Sequence, residues 1–185
     1  MRRLSFSMAV SCCLIILSPL IMKAQELTAE ENKLYDLLMQ YRREHGLKEI
    51  PISKSLTLVA QTHVKDLQEN YVWSEKCNLH SWSDKGPWKP VCYTDDHAQA
   101  ELMWNKPKEL TSYQGNGYEI AFTGYVDSTA MAEKALATWK SSKGHNAVVL
   151  NEGIWKTEWK AIGIGIFGSY AVVWFGNEAE NKNCP

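Results

Sequence analysis

Isoleucine and glycine alternate through Ile162-Gly163-Ile164-Gly165-Ile166, inside an apolar stretch that runs from Trp159 to Phe167. Alternation with a period of two is the signature of a β-strand. The isoleucine face needs a packed layer against it. The glycine face carries no side chains, so it suits a neighbour whose backbone or aromatic ring comes unusually close. Gly168-Ser169 follows as a two-residue turn with glycine first, as a type II′ turn requires, and Tyr170 to Phe175 returns as the partner strand. The same residues spell G-x-G-x-x-G over 163–168. A dinucleotide site is excluded, because the pattern lies inside a strand and its turn and no helix follows it.

The chain before this hairpin reads mainly as helices. Thr28-Ala-Glu-Glu31 has the form of a capping box, and Leu34, Leu37, Leu38 and Tyr41 repeat at helical spacing until Gly46. Pro51 marks an extended connector. A second helix starts near Ser53 or Ser55 and puts Leu56, Val59, Ala60, His63 and Leu67 on one face. His63 sits within that stripe and reads as a core-edge histidine with one hydrogen-bond partner rather than a ligand. Thr94 is placed to cap a third helix through Met103. That explains Asp95-Asp96-His97 as first-turn charge rather than a metal cluster, and Lys106-Pro107 ends the element. Tyr118 to Phe122 reads as a strand. A fourth helix, capped by Asp127 or Ser128, carries Met131, Ala135, Leu136 and Trp139 and ends at Gly144. No repeat or linker divides the chain, so it reads as one domain over 25–185.

Residues 1–24 have the grammar of a signal peptide: Arg2 and Arg3, an apolar run from about Met8 to Met22, then Ala24 before a polar stretch. The run is short for a membrane span. The full chain carries a net charge of −1, and this leader holds only basic charges, so the remainder is more acidic still. That leaves no footprint for nucleic acid or an anionic membrane surface. Export also suits the cysteines. A bridge between Cys77 and Cys92 would close a loop rich in Trp, Pro and Gly and contribute roughly 3 kcal/mol in an oxidising compartment. Cys184 is left over near the end of the chain.

Three side chains with chemical potential stand at element ends rather than in apolar stripes: His80, Glu119 and His145. Such positions, held by a rigid scaffold, are where sites tend to be. Spacing alone does not bring them together.

The motifs Leu47 to Ala60, Asn78-Leu-His-Ser81, Gly117-Tyr-Glu-Ile120, Trp139-Lys-Ser-Ser-Lys-Gly-His-Asn146 and Ile162-Gly-Ile-Gly-Ile166 with Trp174-Phe-Gly176, in this order, resemble the CAP superfamily. That superfamily, also called the SCP domain, groups cysteine-rich secretory proteins, antigen 5 and plant pathogenesis-related proteins. The chain is similar to its bacterial branch. The resemblance implies an α+β fold, an α-β-α sandwich with a small, mainly antiparallel sheet between helical layers. It also implies a groove holding His80, Glu119 and His145. Ser142 stands where the fuller family pattern has a second glutamate, and Tyr118 interrupts the usual Gly-Glu pair.

The loss of that carboxylate favours binding over catalysis. The leading expectation is a secreted, non-enzymatic module whose groove takes a lipid, a sterol or another small apolar ligand, with zinc as the optional metal at His80 and His145. An extracellular hydrolase of peptide or ester bonds, using the His/Glu cluster with Ser81 or Ser142, is the catalytic alternative. The third is a scaffold for an extracellular protein, with the Cys77–Cys92 loop as its epitope.

Overall fold

The computed structural model describes residues 26–125 and 130–180. The leader 1–24, the Asp127 or Ser128 cap and Cys184 lie outside them. Helix α1 (Ala29–Glu44) is followed by α2 (Lys54–Asn70), two short helices α3 (Ala100–Trp104) and α4 (Lys106–Leu110), and strand β1 (Gly117–Thr123). Then come α5 (Met131–Ser141), α6 (Lys143–Val149), one 3₁₀ turn at Gly153–Trp155, and the hairpin β2 (Ala161–Phe167) and β3 (Tyr170–Gly176). The strands form one antiparallel sheet in the order β1-β3-β2.

The sheet is the middle of three layers. Ile162 and Ile164 of β2, Val173 and Phe175 of β3 and Ile120 of β1 face a core shared with Leu34 and Leu38 of α1 and Ala135 and Trp139 of α5. Val172, Trp174 and Ala121 face the other way, onto Leu56, Val59, Ala60 and Val64 of α2. This is the α-β-α sandwich, and each strand alternates between its two cores as its pleat dictates. The glycine face of β2 receives α2. A Cβ on Gly163 would lie 2.0 Å from the Leu56 carbonyl carbon, and one on Gly165 would lie 2.4 Å from the Ala60 oxygen. The α2 backbone therefore rests on strand backbone with no side chain between. At the hairpin, Gly168 has φ +58 and Ser169 does not share the left-handed region, as a type II′ turn requires.

The Thr28 capping box forms as the sequence suggests, with Thr28 N–H donating to the Glu31 carboxylate at 2.8 Å and Glu31 N–H to the Thr28 hydroxyl at 3.2 Å. Glu31 also accepts the backbone N–H of Ile166 at 3.0 Å, which ties the start of α1 to β2. The connector 51–53 lies along β2: Ile162 N–H donates to Pro51 O at 3.0 Å, and Ser53 N–H to Ile162 O at 2.8 Å.

Three local readings are corrected. The helix carrying Trp139 does not run to Gly144. It stops at Ser141, and Ser142, extended at φ −95 and ψ 114, starts α6 by accepting the Asn146 N–H. Gly144 and His145 thus lie in the first turn of a new helix, where glycine's poor helix propensity is tolerated. Thr94 does not cap a helix through Met103. The chain turns at His97, with φ +59, and α3 begins only at Ala100. Lys106-Pro107 follows the end of α3 as read, but it also opens α4, which the pattern did not suggest, because proline's missing N–H is no loss in a first turn. The polar tail also folds back, with the Glu180 carboxylate accepting from Ser55 N–H at 3.3 Å and its hydroxyl at 2.7 Å.

Candidate functional site

His80 is delivered by two short segments zipped together. The Cys77–Cys92 disulfide joins them, Asn78 N–H donates to Tyr93 O at 2.9 Å, Tyr93 N–H donates to the Ser81 hydroxyl at 2.9 Å, and Trp82 pairs with Val91. The expected bridge is therefore present. Asn78 turns the chain by accepting the His80 N–H on its side-chain oxygen at 3.1 Å. Glu119 comes from β1 and points toward the α2 layer. Its strand neighbour Tyr118 points to the opposite face.

Glu119 lies between two imidazoles. Its Oε2 is 3.3 Å from His80 Nδ1 and 3.4 Å from His63 Nδ1, and its side chain is fully buried. Both contacts are longer than a good hydrogen bond, and neither carboxylate oxygen has a hydrogen-bond partner. The cluster is held by charge more than by directed bonds. Burial alone would raise the Glu119 pKa, but the charges of His63 and His80 outweigh it and bring the carboxyl down to about 2. Burial likewise opposes charge on His80, and the Glu119 carboxylate overcomes it and raises that imidazole. For His145 burial prevails: it holds the ring below its usual range, the nearby His80 adds to the effect, and Glu119 opposes it. His145 is thus within electrostatic reach of both partners, and its Nδ1 is buried without a hydrogen bond.

These shifts fix the sign of the pH dependence. The Glu119 contribution is complete above pH 4.5 and is lost as pH falls toward 2. The His80 contribution is complete below pH 6.5 and is lost as pH rises through its raised folded pKa. His145, with a lowered pKa, works against stability as pH falls below 6.5. Thermal melts against pH should show an acid loss beginning near 4.5 and an alkaline loss that is absent from His80→Ala. A wild-type alkaline limb that matches the variant's would remove this account of the pair.

His63 is the residue that the sequence pattern hid. It is fully buried at the core-facing stripe of α2, where periodicity assigns it to packing. Its Nε2 donates to Ser81 O at 3.0 Å, which turns Nδ1 toward Glu119, and its ring stacks on Trp82 at 4.3 Å with a 9° interplanar angle. The useful signal was a fully polar ring on a stripe that faces the same layer as Glu119. The serines do not join this chemistry. Ser81 spends its hydroxyl on Tyr93 N–H and its carbonyl on His63, while Ser142 marks a helix junction with no side-chain cap.

Behind the histidine cluster, Trp82 also walls a cavity of about 270 Å³, lined by Leu67, Tyr71, Val72, Val91 and the disulfide, with Asp66 on its polar side. Val72 and the adjacent Trp73 are 81% and 74% exposed.

Residues 35–157 match the cysteine-rich secretory protein family, CAP. No curated protein sequence matches the chain. Among solved structures, the chain is similar to an extracellular protein containing an SCP domain from Bacillus anthracis, at 20% identity and TM-score 0.57 over 83% of this chain and 45% of that one. It is also similar to an outer surface protein from Borrelia burgdorferi, at 17% identity and TM-score 0.56 over 84% and 97%. A cysteine-rich secretory protein from Staphylococcus aureus aligns at 16% identity and TM-score 0.52, over 80% of this chain and 38% of the other. The chain thus spans less than half of the Staphylococcus and Bacillus chains and nearly all of the Borrelia one. At these identities the likeness is one of fold.

Proposed function

We propose, starting from the fact that this chain belongs to the cysteine-rich secretory protein (CAP) family, that it works outside the cytoplasm as a binding module for a small apolar ligand. The observation that carries this reading is the open pocket beside the cluster, where apolar Leu67, Trp82 and Val91 stand with Asp66, Asn70 and three serines and exposed Val72 lies at the rim. Ligand sites are commonly concave and apolar, with a few polar groups that fix orientation. Catalysis is disfavoured by the state of the polar residues. Glu119 is buried between two imidazoles, and Ser81 has no histidine at its hydroxyl. A nucleophile needs a base beside it. The exported location is supported by the leader grammar, by the disulfide, and by relatives described as extracellular or outer-surface. Among the described residues no helix is long and apolar enough to cross a membrane.

Zinc fits the donor types at the cluster. His145 Nδ1 is buried without a hydrogen-bond partner, whereas His80 Nδ1 faces the Glu119 carboxylate at 3.3 Å, so a metal would take the other ring nitrogen of His80. Among the described residues no group of three or more His, Cys, Asp or Glu is set to hold a metal ion, so the protein's contribution would be limited to the two histidines. In this reading His80 and His145 are the ligands and Glu119 orients the His80 ring from behind. A bound zinc would supply Lewis acidity toward a polar head group of the ligand.

Titration of the protein with a fluorescent fatty acid and a fluorescent sterol tests the binding reading. Saturable binding is expected for at least one of them. Leu67→Trp, which fills the cavity, should weaken it by about tenfold or more, equivalent to ~1.4 kcal/mol. Failure to retain either probe would sink the apolar-ligand reading. Calorimetry with zinc gives the second arm: heat in the wild type, lost in His80→Ala and His145→Ala. Turnover of a peptide or ester library that disappears in His145→Ala would replace binding with catalysis.

A further inference from the structure

Between α2 and α3 the chain runs from Tyr71 to Gln99 without a helix or an extended strand. A connection of this length inside a compact domain is usually functional. Its two paired segments are fastened unequally at their ends. At one end Trp82 and Val91 exchange backbone hydrogen bonds at 2.9 and 3.0 Å, both side chains are buried, and Trp82 stacks on His63. That end is anchored in the core under α2. At the other end stands the Cys77–Cys92 disulfide. Cys77 N–H donates to the Ser74 hydroxyl at 2.8 Å, the Tyr71 hydroxyl donates to Cys77 O at 3.0 Å, and Cys92 N–H donates to the Gln99 side chain at 3.0 Å. Each of these bonds stays within its own segment. The bonds that cross, from Asn78 N–H to Tyr93 O and from Tyr93 N–H to the Ser81 hydroxyl, lie on the Trp82 side of the disulfide. On its other side Val72, Trp73, Glu75 and Lys76 are exposed. Both cysteines are half-buried, and both line the open pocket beside the histidine cluster. Neither hydrophobic core contains a cysteine.

We propose that the Cys77–Cys92 disulfide is a redox latch on the wall of this pocket: a low-molecular-weight thiol reduces it in the folded protein, and the segment from Val72 to Cys77 then lets go while the sheet and its helices stay intact. The external thiol is the reductant. Its thiolate attacks Sγ of one cysteine, the S–S bond breaks, and the other cysteine leaves as a thiolate that takes up a proton. A second external thiolate attacks the external sulfur of this mixed disulfide, so an external disulfide forms and the remaining cysteine is released. Two thiols are oxidised to one disulfide, and the protein gains two thiols. Three features favour a latch over a purely structural bridge. The pocket gives a small thiol a way in. Reduction takes nothing from either core. Once open, the freed segment has only local bonds to hold Cys77, so the two thiols meet seldom, and a pair that meets seldom is easily reduced. The pocket then loses the part of its wall formed by Ser74 and Cys77. The effect on ligand rests on the apolar-ligand reading above, whereas the opening of the segment does not.

The test is incubation of the folded protein with excess reduced glutathione, then alkylation and peptide mass spectrometry for labelled Cys77 and Cys92, with amide hydrogen exchange read on the same samples. Both cysteines are expected to be labelled without denaturant. Exchange over 72–80 should rise by about tenfold or more, while β1, β2 and β3 stay within about twofold of their oxidised rates. Glutathione disulfide should restore the original pattern. Affinity for the fluorescent fatty acid should fall by about tenfold or more on reduction and return on reoxidation. In the Cys77→Ser/Cys92→Ser double variant glutathione should change neither readout. Cysteines that stay unlabelled until denaturant is added would overturn the latch, as would unchanged exchange over 72–80 after reduction. So would strands that exchange as fast as the segment, or a double variant that does not fold, since the cores would then depend on the bridge. An affinity equal in both redox states would overturn its control of the pocket. If the oxidised protein binds neither apolar probe, the ligand reading fails and the exchange data alone decide the latch.

Discussion

Gly163→Ala is expected to destabilise the domain by more than about 3 kcal/mol, above the usual range for one added methyl group. The new Cβ would fall 2.0 Å from the Leu56 carbonyl carbon and 2.3 Å from both the Leu56 oxygen and the Thr57 nitrogen. These are backbone atoms of a helix, so no side chain can swing aside. Either α2 lifts from the sheet along its length or β2 leaves its pairing with β3. Chemical denaturation reads the outcome directly. Gly144→Ala is the matched control: nothing lies within 4 Å of its added Cβ, and alanine is the better helix former in α6. It should be neutral or stabilising by up to about 1 kcal/mol. Equal, small effects at both positions would show that α2 does not rest on the strand backbone. The closeness also serves the site. His63 stands two helical turns beyond Leu56, and only a helix seated this near the sheet lets its ring reach Glu119.

Glu119→Ala carries the second large effect. It removes the only carboxylate from a buried cluster that holds His63 and His80. Breaking one side of a buried ion pair typically costs about 3–5 kcal/mol, because the remaining charge is left without a counterpart. For a domain of this size that corresponds to a fall in melting temperature on the order of 10 °C. The loss should be larger at pH 5 than at pH 8, since the raised His80 imidazole is charged at the lower pH. Circular dichroism melts of wild type and variant at the two pH values measure it. A loss of equal size at both would mean that Glu119 contributes by filling space alone.

Much of the architecture was legible in the residue pattern because it rests on periodicities that a sequence displays. The alternation at 162–166, the stripe of α1, the capping box at Thr28 and the cysteine spacing each correspond to one physical requirement, and each appears in the structure. The failures lie where helices begin and end. At Ser142 and Thr94 the outcome is set by backbone geometry, in which one extended or left-handed residue divides what looks like a continuous helix, and at Lys106 by proline's ease in a first turn. Glycine at 144 drew attention as the breaker, yet the break lies two residues earlier at a serine with no special propensity. His63 was missed for a different reason. Periodicity places a side chain on a face, but it does not say which charged group the neighbouring layer turns toward it. His80 and Glu119 were legible through family motifs, whereas the third imidazole required the packing of α2 on β1.

The connector at 51–53 and the carboxylate of Glu31 also limit how this protein meets other copies of itself. A three-stranded sheet has two margins, and an uncovered margin is a template for pairing with a foreign strand. Along β2, Ile162 spends its N–H and its carbonyl on Pro51 and Ser53, and Ile166 spends its N–H on Glu31. Proline contributes no donor of its own, so the covering segment does not extend the ladder outward. Both ends of this apolar flank are therefore occupied, one by a proline-containing strap and one by an acid, and a foreign strand would have to displace them to pair along its full length.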